Sequence, residues 1–240
     1  MAINARKVPA GGGNKKKFPV VEPGTYPARV VQVIDLGLQT QMPYQGQEKP
    51  PAHELMLTYE LVDEFLQDED GNDMEDKPRW QSETFPLRNL DADLAKSTKR
   101  YYALDPEEIH EGDFVALVGT PCMVTLVHKP NKKDPEFPYV NVGNVSTMRA
   151  KEAKNCPELV NPSKVFDLDA PDMEIFFSLP DWLQEKIKGN LNFEGSILEK
   201  AIAEYKGKPE EKEEKPKKAA KAKPEPEEVE EEVEDSEEDW

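Results

Sequence analysis

The fold is decided by residues 24–41, which read GTYPARVVQVIDLGLQTQ. Side chains alternate along this stretch, with Tyr26, Ala28 and Val30 on one side, which is the period-two pattern of a β-strand. The stretch is long for one strand, and Gly37 marks the place where a strongly coiled strand bends or bulges. We therefore expect a long and curved first strand.

Four more strands and one helix are expected farther along the chain. The second strand alternates apolar with polar residues, so we expect it to be half-buried. In order, the sequence predicts a loop at residues 42–51, strands at 53–66 and 79–87, a helix at 89–102 capped by Asn89, a strand at 114–128 interrupted by Gly119, and a strand at 139–148. This order predicts a mainly β, OB-fold-like five-stranded barrel with a helix between the third and fourth strands. Periodicity alone does not distinguish an OB-fold from another small closed β-barrel.

The chain divides into four parts by composition. Residues 1–17 contain glycines and a run of lysines and predict a flexible basic N-terminal arm, whereas residues 18–150 contain the barrel. Residues 151–205 carry two short helical stretches that we expect to pack on the barrel, with binding of a partner as the alternative. Residues 206–240 are rich in Lys, Glu and Pro and predict a disordered linker and acidic tail.

The net charge of −18 is concentrated in two stretches. Residues 225–240 hold eleven carboxylates and no basic residue, and residues 63–76 hold eight more carboxylates. Because the rest of the front half is close to neutral, the overall charge does not exclude a nucleic-acid partner. The tail ends on Trp240, and an acidic run closed by an aromatic ring is either a solubility device or a ligand for a partner or a basic groove.

The acidic run at residues 68–76 invites a calcium-loop interpretation, which fails on spacing. An EF-hand loop requires glycine at its sixth position and oxygen ligands at its first and twelfth. Placing Gly71 sixth puts Leu66 first and Lys77 twelfth, and neither is a ligand. We therefore expect a solvated hairpin loop.

No pattern of catalytic or metal-binding residues stands out. The two cysteines and three histidines lack metal-ligand spacing, and the chain has no Gly-rich phosphate loop and no nucleophile elbow. A metal-dependent nuclease would need clustered carboxylates, but Glu54, Glu60 and Glu83 are expected to face solvent from strands. We predict a protein that is not an enzyme and has no cofactor or metal. Because no secretory signal or membrane-spanning apolar run is present, we expect a cytoplasmic location.

Basic and aromatic side chains fall where an OB-fold binds oligonucleotides, namely the first and last long loops and the face of strands two and three. Single-strand binding needs cations along the phosphates and aromatic faces for the bases. Tyr44 and Phe137 lie in Pro-rich loops, where stacking is the better interpretation, whereas Trp80 reads at least as well as a core residue. The candidate DNA-binding residues are Arg29, Tyr44, Arg79, Trp80, Arg88, Lys129, Lys132, Lys133, Phe137, Tyr139 and Arg149.

This hypothesis depends on the two long loops lying close together in the barrel. Loop lysines are otherwise ordinary solvated side chains. A second basic and aromatic cluster on the predicted helix consists of Lys96, Lys99, Arg100, Tyr101 and Tyr102. The two tyrosines are adjacent, so they cannot both face inward, and we expect one to be exposed.

The central run resembles the single-stranded-DNA-binding proteins of tailed bacteriophages. The resemblance rests on Pro23-Gly24-Thr25-Tyr26 opening a strand that reaches Gly37, on residues 55–61, 83–87 and 139–145, and on 119–127 with Pro121-Cys122. It covers about residues 18–150. The acidic tail with its terminal aromatic residue is an independent match, because it resembles the tails of phage replication proteins.

The resemblance implies an OB-fold that coats single-stranded DNA without sequence specificity in phage DNA replication, recombination and repair, in the cytoplasm of the host cell. It also implies that the tail recruits replication partners, such as DNA polymerase and the helicase-primase, and competes with DNA for the groove. The tail residues concerned are Glu237, Glu238, Asp239 and Trp240. The chain departs from the family in its modest number of basic residues and its acidic stretch at 63–76. The alternative is an acidic protein-interaction scaffold or DNA mimic that binds no nucleic acid.

Overall fold

Six β-strands dominate the part of the chain that the computed structural model describes, which is residues 19–68, 70–132, 134–135 and 137–205, with Tyr44 described by its backbone alone. The strands are β1 (Gly24–Tyr44), β2 (Gln47–Gln67), β3 (Asp73–Pro86), β4 (Pro121–Lys129), β5 (Tyr139–Thr147) and β6 (Lys164–Phe166). The helices are α1 (Lys96–Leu104), α2 (Ala150–Ala153), α3 (Met173–Ser178), α4 (Asp181–Lys188) and α5 (Ile197–Glu204). The predicted mainly β fold is confirmed. The predicted arm at 1–17 and tail at 206–240 lie outside the described residues.

The strands form one sheet in the order β3-β2-β1-β4-β5, and each of these neighbours is antiparallel. β4 pairs with β1 at Gly24–Arg29, and β6 pairs in parallel with β1 farther along, at Gln32–Ile34. The sheet is not closed, because no ladder among the described residues joins β3 to β5. The closed barrel predicted from the sequence is therefore not formed by backbone hydrogen bonds.

Side chains bridge the two edge strands, β3 and β5. The Nε2 amide of Gln81 in β3 donates to the carbonyl oxygen of Val140 in β5 over 3.0 Å. The guanidinium of Arg100 in α1 donates to the carboxylate of Glu83 in β3 over 2.7 and 3.2 Å. The same guanidinium donates to the carbonyl oxygen of Gly143 in β5 over 3.3 Å. α1 therefore ties together the two edges that backbone bonds leave apart.

The sheet separates two hydrophobic cores. The first lies on the inner face of the curved sheet, where α1 packs, and includes Ala28, Val30, Leu57, Tyr59, Leu61, Phe85, Tyr101, Leu104, Val124 and Leu126. The second lies on the outer face of β1 and β2, under α3, α4 and α5, and consists of Ile34, Leu36, Met56, Phe166, Phe176, Leu179, Leu183, Ile187 and Leu198. The described residues up to Tyr205 belong to one compact unit.

The middle of β2, residues 55–61, is covered on both faces, so the prediction of a half-buried strand is wrong there. Leu57 and Tyr59 enter the first core, as the alternation predicts. Thr58 and Glu60 point to the outer face, yet each is only 1% exposed. The alternation in the sequence correctly assigns side chains to faces. It does not reveal that a later segment covers the polar face.

The loop predicted at residues 42–51 is also wrong, because β1 and β2 continue as a long hairpin. Tyr44 pairs with Gln47, and the turn between them consists of Gln45 and Gly46, with φ of 51° and 72°. Two positive φ values are the geometry of a type I′ hairpin turn. The bulge expected at Gly37 is confirmed, because the β1–β2 register shifts there and Gly37 has a φ of 73°.

The helix between β3 and β4 is present but begins later than predicted. Asn89 does not cap it, because its Oδ1 accepts the N–H of Asp91 in a turn, and α1 begins only after Ala95. The first part of the predicted fourth strand is a short 3₁₀ helix, Val115–Leu117. The fourth strand itself begins at Pro121.

The described helices are all too short or too polar to cross a membrane. The longest of them, α1, spans Lys96–Leu104.

Candidate nucleic-acid interface

The outer surface of β1 and β2 is occupied by the chain's own C-terminal extension. The carboxylate of Glu60 accepts hydrogen bonds from the backbone N–H groups of Val160, over 2.7 Å, and Asn161, over 3.2 Å. It also accepts from Nδ2 of Asn161 over 2.7 Å. We call this surface the covered face; it consists of Arg29, Gln32, Thr58 and Glu60, all buried.

Arg29, a predicted DNA-binding residue, belongs to the covered face and is bonded to the protein itself. Its guanidinium donates to the carbonyl oxygens of Pro157 and Gly119, each over 2.7 Å. A further nitrogen donates to the carbonyl of Cys156 over 2.9 Å and to the carboxylate of Glu158 over 3.2 Å. Because these acceptors occupy the guanidinium, Arg29 fastens the extension to the sheet. It is not placed to bind phosphate.

The outer surface of β4 and β5 carries exposed side chains. Lys129 lies directly opposite Tyr139, and Val127 lies opposite Asn141. Directly opposite side chains in an antiparallel pair share one face and lie about 5 Å apart. Tyr139 is 56% exposed and Val127 37%. We call this surface the open face; it consists of Val127, Lys129, Tyr139 and Asn141, together with Trp80 of β3.

Trp80 is exposed, so its interpretation as a core residue is wrong. Gln81, Glu83 and Phe85 alternate with it and point inward, which turns Trp80 outward, and 41% of its surface is exposed. Trp80 and Tyr139 immediately precede Gln81 and Val140, the two residues whose hydrogen bond joins β3 to β5. The structure therefore places two exposed aromatic residues beside the seam between these strands.

The loop between β4 and β5 is held by its own hydrogen bonds. The N–H of Phe137 donates to the carbonyl of Asp134 over 3.0 Å, and Nδ2 of Asn131 donates to the carbonyl of Phe137 over 3.1 Å. Phe137 is half-buried, whereas Lys132 is exposed. Lys132 therefore remains beside the open face as a cation. Lys133 lies outside the described residues.

Arg79 and Arg88, the predicted cations of the third strand, are not part of the open face. Arg79 donates through Nε to the carbonyl of Phe65 over 2.9 Å and through Nη1 to that of Pro19 over 2.6 Å. Arg88 is exposed but follows the far end of β3, beyond Pro86.

The two long loops do not converge, which corrects the expectation on which the predicted site depends. Gly24 pairs with Leu126, so the β4–β5 loop lies at the start of β1. Tyr44 lies at the other end of β1, at the hairpin turn, and its side chain is not described. Only one of the two loops therefore adjoins the open face.

The second basic and aromatic cluster is divided between the interior and the surface. Tyr101 is buried, and its hydroxyl donates to Asp105 over 2.9 Å and accepts from the N–H of Gly112 over 2.7 Å. Lys99 and the half-buried Tyr102 line a cavity of about 440 Å³ between α1 and β5. Tyr101 is therefore fully buried as one of the adjacent tyrosines was expected to be, whereas Tyr102 is half-buried against the first core and is not exposed as predicted.

Glu83 is the centre of a buried polar network rather than a solvent-facing residue. Its carboxylate binds Arg100, the ammonium of Lys96 over 2.6 Å and the hydroxyl of Tyr59 over 2.9 Å. Burial, and then the negative charge of Glu83, raise the pKa of Tyr59 well above its usual range. The network holds β2, β3 and α1 in fixed positions behind the open face. No group of three or more His, Cys, Asp or Glu side chains suited to a metal ion occurs among the described residues.

Arg149 lies past the end of β5, at the opposite end of that strand from Tyr139. Its exposed guanidinium pairs with Glu152, and both residues line a cavity on the outer side of the sheet. The remaining predicted residues, Glu237, Glu238, Asp239 and Trp240, lie outside the described part of the chain.

Sequence reasoning missed Val127, although Gly143 carried a signal for it. A Cβ on Gly143 would lie 2.9 Å from Cγ1 of Val127. Glycine inside a strand often marks such a close approach.

No family model matches the chain, and a search of curated proteins also gives no match.

Proposed function

We propose that the protein binds single-stranded DNA without sequence specificity and does so on the open face. The observation that carries this proposal is the pairing of exposed Trp80 and Tyr139 at the β3–β5 seam, with Lys129 directly opposite Tyr139. Bases stack on aromatic faces irrespective of their identity, while lysines follow the phosphates. This combination is what a sequence-tolerant binder of single strands requires.

We further propose that the described sheet is an OB-fold in which side chains complete the barrel. The strand order β3-β2-β1-β4-β5 and the helix between β3 and β4 agree with it. The Gln81–Val140 bond and the Glu83–Arg100–Gly143 bridge stand where the β3–β5 contact of a closed barrel would lie.

In this proposal DNA uses the exposed outer surface of β3 but not that of β2, although Trp80 lies directly opposite the buried Glu60. Glu60 of β2 is buried and bound by Val160 of the extension, and Thr58 is also buried, whereas Trp80, Ser82 and Thr84 of β3 remain exposed. A strand of DNA can therefore reach β3, β5 and β4 without displacing the extension. Solvent access favours the open face over the covered one.

The biological setting follows from the resemblance to phage single-stranded-DNA-binding proteins. We propose a role in DNA replication, recombination and repair in the cytoplasm of the host cell. The acidic residues 225–240 would compete with DNA for the open face, because carboxylates offer the same charge as phosphates. Trp240 would dock into replication partners such as DNA polymerase or the helicase-primase.

Titration with a fluorescent oligothymidine tests the proposal. The intact chain and a variant ending at Tyr205 would be compared at several salt concentrations. We expect both to bind, the truncated variant more tightly, and the affinity of both to fall as salt rises. A titration with duplex DNA of the same length measures the preference for single strands.

Failure of both proteins to bind at low salt would contradict the proposal and favour the protein-interaction scaffold. Equal affinity of the intact and truncated chains would contradict only the proposed competition between the tail and DNA. Loss of intact DNA on addition of magnesium or manganese would instead indicate a nuclease.

A further inference from the structure

The cavity beside Arg149 has a volume of about 670 Å³ and lies where β1, β2 and β4 meet the segment that follows β5. Four separate parts of the chain supply its apolar floor, namely Pro27, Val62, Met123 and Met148, and Cys156 and Pro157 line it as well. Pro27 and Met123 are directly opposite each other in the β1–β4 ladder. The floor is therefore the outer surface of the sheet itself, next to the covered face.

The floor suits a flat apolar group. Methionine thioethers are polarizable and adapt their shape to a neighbouring ring. Met148 is buried, and Met123 and Val62 are half-buried, so the part of the floor open to a ligand comes mainly from Met123 and Val62. A base lying on this floor would remove apolar surface from water, which is favourable.

Charged side chains of both signs surround this apolar floor. Arg149 is paired with Glu152, but Lys151 forms no ion pair with any described residue. On another side of the cavity, Asp63 also forms no ion pair within the described part of the chain. Asp63 is exposed to solvent, although desolvation by neighbouring groups raises the pKa of its carboxyl, an effect that a backbone hydrogen bond opposes. The cavity thus offers a cation and a carboxylate around an apolar floor, and neither forms an ion pair with a described residue.

The cavity is continuous with the open face along β4. Met123, Val127 and Lys129 are separated by even numbers of residues, so they project from the same side of the strand. Across from them on β5 lie Ser146, opposite Met123, and Tyr139, opposite Lys129. The path from Met123 to Lys129 is roughly 20 Å long at the usual rise of a strand. A few nucleotides of extended DNA would span it.

We propose that this cavity receives one nucleotide of the strand that crosses the open face. Lys151, with Arg149, binds its phosphate, the floor of Met123 and Met148 receives its base, and Asp63 accepts a hydrogen bond from an exocyclic amino group. This inference rests on the proposed function. It adds a preference for cytosine over thymine, because cytosine carries an exocyclic amino group that a carboxylate can bind and thymine carries none.

Competition between oligodeoxycytidine and oligothymidine of equal length tests the preference with the full-length protein. We expect the cytidine oligomer to bind about fivefold more tightly, at the low end of discrimination by a base contact. Asp63→Asn should remove or reverse the preference, because an amide can donate to the thymine carbonyl. Lys151→Ala should weaken both oligomers, whereas Lys154→Ala, on the same short segment but outside the cavity, should weaken neither.

Methionine methyl NMR locates the binding independently of these substitutions. The Met123 and Met148 signals should shift on addition of the cytidine oligomer, and that of Met42, on the distant hairpin, should not. Equal binding of both oligomers, with unshifted methyls, would overturn the cavity inference and leave the proposed function intact. Shifts with deoxycytidine monophosphate but not with the oligomer would assign the cavity to a free nucleotide and also overturn it. Failure of any oligomer to bind would refute the proposed function itself.

Discussion

The covered face and the open face are two parts of the outer surface of one sheet, and they differ in what occupies their polar groups. On the covered face, Glu60 and Arg29 bind backbone groups of residues 156–161 and are buried. On the open face, Lys129 and Tyr139 are exposed on paired strands. A charged residue in the sequence therefore does not show whether its side chain is free to bind a ligand. A charged residue is available for a ligand only where no nearby chain segment supplies its partners.

The two faces also differ in the kind of cation they use. Arg29 presents a planar fork whose several N–H groups reach three carbonyls and a carboxylate at once. Lysine has a compact ammonium on a flexible stem and fits such a multiple site poorly. Arg79 and Arg100 are likewise bonded to protein acceptors, whereas Lys129 and Lys132 are exposed. Arg29, Arg79 and Arg100 therefore stabilise the structure, and the exposed lysines are the better candidates for contacts with phosphate.

Removing Arg29 should have the largest effect and should act on stability. Arg29→Ala leaves the carbonyls of Cys156, Pro157 and Gly119, the first buried and the others partly so, without their donor. We expect a loss of about 3 kcal/mol in the free energy of unfolding, since unsatisfied buried polar groups are costly. Urea denaturation followed by circular dichroism measures it.

The variant Arg29→Lys separates the two roles that Arg29 could have. It keeps the charge but cannot reach all the acceptors, so we expect most of the stability to be lost as well. If Arg29→Lys were stable while Arg29→Ala lost DNA affinity, Arg29 would be a phosphate contact and the covered face would be misassigned.

Removing an aromatic ring from the open face should act on affinity instead. Trp80→Ala and Tyr139→Ala should each weaken oligothymidine binding by about tenfold, within the range for loss of one stacked base. Tyr139→Ala should change the free energy of unfolding little, because Tyr139 is 56% exposed, whereas Trp80→Ala should cost about 1 kcal/mol, because Trp80 is only 41% exposed. Fluorescence anisotropy gives the affinity, and urea denaturation gives the stability.

Trp182 provides a matched control, because it is 59% exposed but lies on α4. Trp182→Ala should leave oligothymidine affinity unchanged. A loss of affinity equal to that of Trp80→Ala would mean that exposed tryptophans contribute nonspecifically. The assignment of DNA binding to the open face would then fail.

A smaller effect is expected from the lysine opposite Tyr139. Lys129→Ala should reduce the slope of log affinity against log salt by about 0.7, the value for one contact to the phosphate of a single strand. Lys188→Ala, an exposed lysine on α4, should leave the slope unchanged. Identical slopes for wild type and Lys129→Ala would remove Lys129 from the interface.

The sequence predicted the strands better than it predicted the surfaces. Alternation in β2 correctly assigned Leu57 and Tyr59 to one side and Thr58 and Glu60 to the other. Alternation is a local property, and it is decided by the pleat of the strand. The cover over Glu60 comes from Val160, a hundred residues away, so no local pattern could reveal it.

Only part of the candidate site was predicted, because local patterns in the sequence do not reveal contacts between distant residues. Lys129 and Tyr139 were found because they adjoin one loop, and the hairpin places them opposite each other. Trp80 joins them only through the Gln81–Val140 bond between strands that are not consecutive. The cavity near Arg149 was missed because its floor combines β1, β2 and β4 with Met148.

The smallest effect should come from Gly143→Ala, which tests how tightly the open face is packed. The new Cβ would meet Cγ1 of Val127 at 2.9 Å, so Val127 must rotate. Because Val127 is 37% exposed, it has room to do so, and we expect a cost of about 0.5 kcal/mol, typical of a strained rotamer. DNA affinity should then change less than it does in Lys129→Ala, because no phosphate contact is lost. A loss of stability as large as that of Arg29→Ala would show that the open face is packed as tightly as the covered one, and the distinction between the two faces would fail.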